Sequence, residues 1–466
     1  MFLKLRHRAQ GEFAFLLEGA AQKGSFVRNA MYGFSGKFII ICFTFVTAPL
    51  LTRMYTPEAY GYFAFMNTIA SNVAILATLG FPSALVLSRT DDRFYNFLVS
   101  VVVLSMMIIT TFSLVLIFVA NDVLPIELGQ DKGFYLGLLV AACTLYALMQ
   151  ILPNWNVWRN QFQVAARINI LVAGSARVVS LGMGLLPGAS VFGLIIGELF
   201  GRLLGVVATV SHHLFKEWRN MFAAVRLKKM RSVTSEFKDY PKYVLAAGYV
   251  SVLTSHIPSL VFPYLFEMQR LGHYSLAVSM VGIPGSLLAY PLSSLFLKKF
   301  LELQETQAER IPLYVKRVLY GLFLVSVVPF AFIVVFGPDV FAFVFGADWR
   351  FAGELSSILA FHGLIEVVRV PLQGVFQAKK RERSILSYQV LQIAMVVIAL
   401  LPGLISNDIV MMVWGFVGAR CLISLFILKR ILKWSGVSQR IIFIRCQVVL
   451  LLVLAIMFTF KWLLFM

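Results

Sequence analysis

Residues 99–120 read VSVVVLSMMIITTFSLVLIFVA, without one charged side chain. At 1.5 Å per residue a helix of this length is about 33 Å long, enough to cross roughly 30 Å of hydrocarbon. In lipid every backbone N–H and C=O must be satisfied within the protein, which leaves helices and closed barrels. A barrel strand would show about ten residues of strict alternation, and this stretch does not alternate. It is a membrane-spanning helix. Twelve further apolar blocks of similar length follow the same logic. The predicted spans are 34–51, 62–87, 94–120, 134–152, 168–186, 191–214, 243–266, 274–297, 318–336, 355–373, 385–405, 409–428 and 441–462. The fold class is all-α integral membrane, with about 12–13 spans.

Composition agrees. Hydrophobic residues make up 59% of the 466, and charged residues only 14%, against about 25% in an ordinary soluble domain. Mean hydropathy is +0.83. The four cysteines, Cys42, Cys143, Cys421 and Cys446, all sit in apolar blocks and have no metal-ligand spacing, so they are expected to be small packing residues, with no metal site. No small-residue cleavage site follows a short apolar core in the first 30 residues, so the first span is expected to act as its own insertion signal.

The net charge of +19 would suggest nucleic acid in a soluble protein. Its distribution argues otherwise. With the N-terminus inside, about three-quarters of the 41 Lys+Arg fall on inner links, and about four (Arg53, Lys132, Arg270 and Arg350) on outer ones. That asymmetry places the N-terminus in the cytoplasm and sets basic loops against anionic lipid headgroups. No nucleic-acid partner is expected. The outer links are short, which leaves no room for a catalytic domain, so no enzyme is expected.

An internal repeat divides the chain. AYGYFAF and GFPSALVL bracket the second span, as RLGHYSLA and AYPLSSLFL bracket the eighth; Gly61 matches Gly272 and Pro82 matches Pro291. Pro153 and Pro371 close the fourth and tenth spans, and GLIIGELFGR in the sixth span matches GFVGAR in the twelfth. The expected domains are a cytoplasmic segment 1–33, a six-helix bundle 34–214, a cytoplasmic linker 215–242, a second bundle 243–430, and a C-terminal segment 431–466 with an additional helix. Six spans per half gives two parallel repeats, an architecture of transporters that work by alternating access.

A charge inside the membrane costs several kcal/mol unless it is paired or faces water, so such residues mark function. Candidates are Lys37, Arg177, Arg202, Arg369 and Arg420 for binding, and Glu198, Glu366 and His256 for ion pairing or coupling. Positive charge outnumbers negative, which suits an anionic cargo, and the arginine fork suits phosphate. Glu198–Arg202 and Glu366–Arg369, four and three residues apart, also fit local ion pairs. Lys37 also fits an interfacial anchor that snorkels. Pro258 and Pro263 in the seventh span, and Pro284 and Pro291 in the eighth, are candidate hinges or kinks. There is no nucleotide-binding motif, and no cofactor is expected.

Two pieces carry a family resemblance: the turn LLTRMYTPEAYG between the first two spans, and the R-x-D-D run that begins at Arg89. Over about the first 90 residues the chain resembles the Wzx-type polysaccharide flippases of the multidrug/oligosaccharidyl-lipid/polysaccharide exporter superfamily. The resemblance implies a V-shaped pair of bundles around a central cavity in the bacterial inner membrane. It implies export of undecaprenyl-pyrophosphate-linked oligosaccharide, with polymerase and chain-length proteins as partners. Cavity arginines recur in the family, which implies such a role for Arg177, Arg369 and Arg420. The alternative is a cation-coupled drug or metabolite antiporter, which needs acidic intramembrane residues; only Glu198 and Glu366 qualify.

Overall fold

A computed structural model describes residues 26–123, 132–186 and 190–464; residues 1–25 of the expected N-terminal segment lie outside it. All regular structure among these residues is helical. The N-terminal half contains α1 (Phe26–Met54), α2 (Pro57–Ala77), α3 (Pro82–Leu85), α4 (Asp91–Val123), α5 (Lys132–Ile151), α6 (Pro153–Trp158), α7 (Phe162–Gly184) and α8 (Val191–Ala224). A linker helix, α9 (Leu227–Glu236), follows. The C-terminal half contains α10 (Ala246–Leu265), α11 (Met268–Val281), α12 (Tyr290–Thr306), α13 (Ile311–Phe345), α14 (Arg350–Leu372), α15 (Gly374–Ala378), α16 (Glu382–Ser406) and α17 (Ile409–Trp434). The last helix is α18 (Gln439–Leu464).

Twelve helical runs among the described residues are long and apolar enough to cross a membrane. α2 is not among them because Glu58, Asn67 and Asn72 dilute its hydropathy. It connects the far end of α1 to the basic start of α4. α18 runs back across, and Lys461 near its end bonds Asp339 at 2.8 Å, near the far end of α13. The helix ends define two faces: the basic face, which carries most Lys and Arg, and the far face.

Local sequence explains the element ends. Thr56 caps α2 by accepting from Ala59 N–H, with Pro57 in the first turn, where a missing N–H costs nothing. α6 and α15 end alike. Asn160 and Lys380 adopt left-handed φ of 56° and 53°. The N–H of Gln161 bonds the Asn156 carbonyl at 2.7 Å, and that of Arg381 bonds the Phe376 carbonyl at 2.8 Å. This is the six-to-one closure of a Schellman motif, repeated at equivalent links of the two halves. In α8, Gly193, Gly197, Gly201 and Gly205 recur every fourth residue. A Cβ on Gly197 would collide with Ser180 and Ala176, and one on Gly201 with Val172. This stripe lets α7 and α8 pack backbone to backbone.

The halves are sealed at the far face. α2 and α11 approach so closely that a Cβ on Gly61 would collide with the Met268 carbonyl, and one on Gly272 with the Pro57 carbonyl. Trp349, 1% exposed, inserts beside them. Its indole N–H bonds the Thr52 carbonyl at 2.9 Å, and its ring meets Tyr60 edge to face at 4.9 Å. Leu51, Tyr55 and Leu194 from one half close around it with Leu276, Phe341 and Phe345 from the other. Deeper in, the Asn72 amide lies 2.8 Å from His256 Nδ1.

The linker helix belongs to the first half. Lys229 bonds Asp92 at 2.8 Å, and Arg93 bonds Glu236. Buried Asn96 donates to the Ala224 carbonyl at 3.0 Å and accepts from Arg226 N–H at 2.8 Å. Beside it, Glu217 accepts from Arg159 at 2.9 Å, Tyr95 at 2.6 Å and Trp155 at 3.3 Å, while Arg159 also bonds Asp91 at 2.9 Å. The Asp91–Asp92 run therefore holds the basic ends of this half together. Burial pushes the Glu217 carboxyl up, but the Arg159, Tyr95 and Trp155 hydrogen bonds outweigh it and leave the group below its ordinary value. A lowered native pKa gives stability that is present above the ordinary carboxylate range and lost as pH falls through the native value. The protection of α9 amides, taken relative to their intrinsic exchange rate, is expected to hold from neutral pH down past about 4.5 and to fall below that. Arg159→Ala is expected to move the onset upward, and an unmoved onset would show that Arg159 does not set it.

Candidate functional site

The intramembrane charges gather into two networks. In the C-terminal half, the Glu366 carboxylate accepts from Arg369 through Nε at 3.0 Å and Nη2 at 2.7 Å, a bidentate fork of the strong, charge-assisted kind. Ser424 of α17 donates to the same carboxylate at 3.0 Å, and His362 Nε2 lies 3.1 Å from it. The spacing explains the meeting: residues 362, 366 and 369 lie at i, i+4 and i+7 on one face of α14. Arg420, one turn before Ser424 on α17, lies within electrostatic range of Glu366, Tyr274 and Tyr290. Its Nε is buried with no hydrogen bond. Two arginines thus share one glutamate.

The N-terminal half repeats the theme. Arg202 pairs with Glu198 at 2.5 Å, one turn apart on α8. Its guanidinium carbon sits 3.4 Å above the Tyr146 ring centroid, and Tyr146 donates to Asn67 of α2 at 3.0 Å. Arg177 of α7 is near Tyr60 and takes part in no ion pair among the described residues. Of the two arginines in these spans, only Arg202 is in contact with Glu198.

The other candidates are placed as follows. Lys37 is exposed near the basic end of α1. His256 joins α10 to α2 through Asn72. α10 remains helical through Pro258 and Pro263; its irregularity lies at its start, in the π turns of Tyr240–Leu245. Pro284 leads into a second π stretch, Gly285–Ala289, and Pro291 lies in the first turn of α12. The eighth span is interrupted there, between the two prolines.

A narrow cleft of about 40 Å³, room for a water or two, lies beside the Glu366 network. Its polar lining is Ser251 of α10, Arg369 and Gln373 at the end of α14, and Tyr388, Gln389 and Gln392 of α16. Gln389 Oε1 is buried and accepts no hydrogen bond. A search for charges does not find these glutamines. Their signal is weaker: neutral polar residues in an apolar span, at positions 388, 389 and 392 of one helical face. His362 and Tyr146 also escape a charge count.

The polysaccharide biosynthesis protein family matches residues 50–354. The lipid II flippase MurJ, in an inward closed conformation, superposes with a TM-score of 0.62 at 13% identity, covering 90% of this chain and 97% of that one. An inward-facing multidrug resistance MATE family transporter of the MOP superfamily gives 0.60 at 16% identity, covering 85% and 96%. An outward-facing one gives 0.54 at 13% identity, covering 87% and 94%. No curated protein matches. With the fold of these solved transporters, two half-bundles sealed at one face and charge networks buried within them, the chain belongs to the polysaccharide biosynthesis protein family.

Proposed function

We propose that the protein is a flippase that moves undecaprenyl-pyrophosphate-linked oligosaccharide units across the bacterial inner membrane, for O-antigen, capsule or exopolysaccharide synthesis. The basic face lies in the cytoplasm, by the distribution of Lys and Arg. The seal at Trp349 and Gly61–Gly272 then closes the outer end, a state that receives cargo from the inner leaflet. Rocking of the halves gives alternating access, and a polymerase and chain-length proteins take up the product.

One observation carries the reading. Each half holds two mid-membrane arginines and one glutamate: Arg202 pairs with Glu198 while Arg177 is in no ion pair among the described residues, and Arg369 pairs with Glu366 while Arg420 lies in its electrostatic range. One positive charge is left over on each half. A diphosphate diester carries two negative charges and meets both halves at once, which couples its binding to their relative position. The antiporter reading needs a carboxylate free to take a proton or cation, and both mid-membrane glutamates are held by arginine.

The test is a flipping assay on Arg177→Ala and Arg420→Ala at matched expression. Each is expected to lower the rate at least tenfold, the equivalent of one charge-assisted contact of about 1.5–3 kcal/mol. Full activity in both variants, or efflux of cationic drugs by the wild type, would overturn the reading.

A further inference from the structure

We propose that His256 and Asn72 form a latch between the two halves, which holds the far face closed only while His256 is neutral. This rests on the transport reading above and names a residue pair that positions the halves in the closed state.

The pair joins α10 of the second half to α2 of the first. Asn72 lies eleven residues beyond Gly61 on α2, about 16 Å deeper along the helix. The halves are therefore tied a second time, well below the Trp349 seal.

Donor and acceptor roles follow from the Asn72 amide. Its Nδ2 donates to the Thr68 carbonyl, one turn back on α2, at 2.7 Å. A rotated amide would set Oδ1 against that carbonyl, oxygen to oxygen, so the NH₂ group keeps this side. Its second hydrogen serves His256 Nδ1, 2.8 Å away. Nδ1 must then accept. A neutral imidazole with its proton on Nε2 does so, and an imidazolium, a donor at both nitrogens, does not. Protonation sets N–H against N–H and breaks the contact. Asn72 is 7% exposed, and its Oδ1 is buried with no partner, a cost borne to hold the amide this way round.

Nothing nearby compensates a charge on His256. α2, α11 and α16 pack against α10, and their charged residues stand at helix ends: Glu58 on α2, Arg270 on α11, Glu382 and Arg383 on α16. Lys242 lies in the π turns before α10. Among the described residues none of these acts on His256. Tyrosines on the same helices, such as Tyr62 and Tyr264, stay neutral through the histidine range. The other group on these helices that titrates near neutral pH is His273 of α11, 3% exposed and edge-on to Trp349 at 5.6 Å. Closure and protonation of His256 thus compete, and a proton there favours the state open at the far face.

The test uses the full-length protein in nanodiscs, without its native cysteines. A water-soluble maleimide labels a cysteine at Ala59, 8% exposed in the seal, and in a separate sample one at exposed Ser406, the last residue of α16. The ratio of the two rates divides out the pH dependence of the thiol. From about pH 8 to about pH 5, either side of the ordinary histidine value of about 6.5, the ratio is expected to rise about fivefold, the equivalent of one hydrogen bond. His256→Asn sets an amide oxygen where Nδ1 stood and is expected to keep the low ratio at both pH values. His256→Leu is expected to show the high ratio at both, with melting temperatures as the folding control. A wild-type ratio that ignores pH would overturn the proposal, as would a low ratio in folded His256→Leu. A pH response that survives in His256→Asn would also overturn it and assign the response to His273. All three leave the flippase reading standing, which the flipping assay tests separately.

Discussion

Gly272→Leu, and equally Gly61→Leu, is expected to reduce transport at least a hundredfold while the protein still inserts and folds. The reason is the nature of the obstacle. A Cβ at either position collides with a backbone carbonyl of the facing helix, Pro57 or Met268. A flexible side chain could rotate away, but a carbonyl in a helix cannot move without its helix. α2 and α11 must separate, and Trp349 then loses its hold on Thr52 and Tyr60. The substitution removes the state closed at the far face and leaves the helices of each half intact. The check is a cysteine at Ala59, 8% exposed in the sealed state, in a background lacking the four native cysteines. An impermeant maleimide is expected to label it at least tenfold faster when Gly272→Leu is present. Unchanged labelling together with unchanged transport would mean that the contact is not a gate.

Glu366→Leu is expected to destabilise the protein by about 3–5 kcal/mol, the usual result of removing one partner from a buried ion pair. Its carboxylate is the only negative group in the network with Arg369, Arg420 and His362. Without it two guanidinium groups face each other at low dielectric and Ser424 loses its acceptor. Glu198→Leu is the internal control and is expected to cost less than half as much, because Arg202 retains the face of Tyr146 and such cation–π contacts recover about 1–2 kcal/mol. Unfolding in detergent measures both, and equal losses would contradict the asymmetry.

Much of this was legible in the sequence because membrane insertion imposes one-dimensional rules. Apolar length found the spans, and Lys/Arg placement sorted the faces. The exceptions have physical causes. α1 begins at Phe26 rather than at residue 34, because FVRNAMYG contains no proline and hydropathy marks where lipid starts, not where a helix does. α2 was recognisable by its flanks and its match to the eighth span, although its composition alone falls short.

For the site, the pairs Glu198–Arg202 and Glu366–Arg369 were legible because helical spacing alone brings them together. The convergence of α10, α14 and α16 on one cleft was not, since no spacing rule links Ser251 to Gln373 and Gln392. Nor was the role of Trp349, which comes from a short turn between α13 and α14 and reaches into the opposite half.

The ion pairs of α9 all reach back to the first half: Lys229 to Asp92 and Glu236 to Arg93. Phe237 stacks on Phe97 and Tyr240 packs beside it, so packing obligations change sides only after Tyr240. A chain cut there would yield two polypeptides, the first keeping its own linker helix fully fastened and the second beginning within the π turns of α10. The seal at the far face would remain as their meeting surface. In this molecule the peptide bond between the halves acts as a tether, and what makes them one machine is the surface across which they touch.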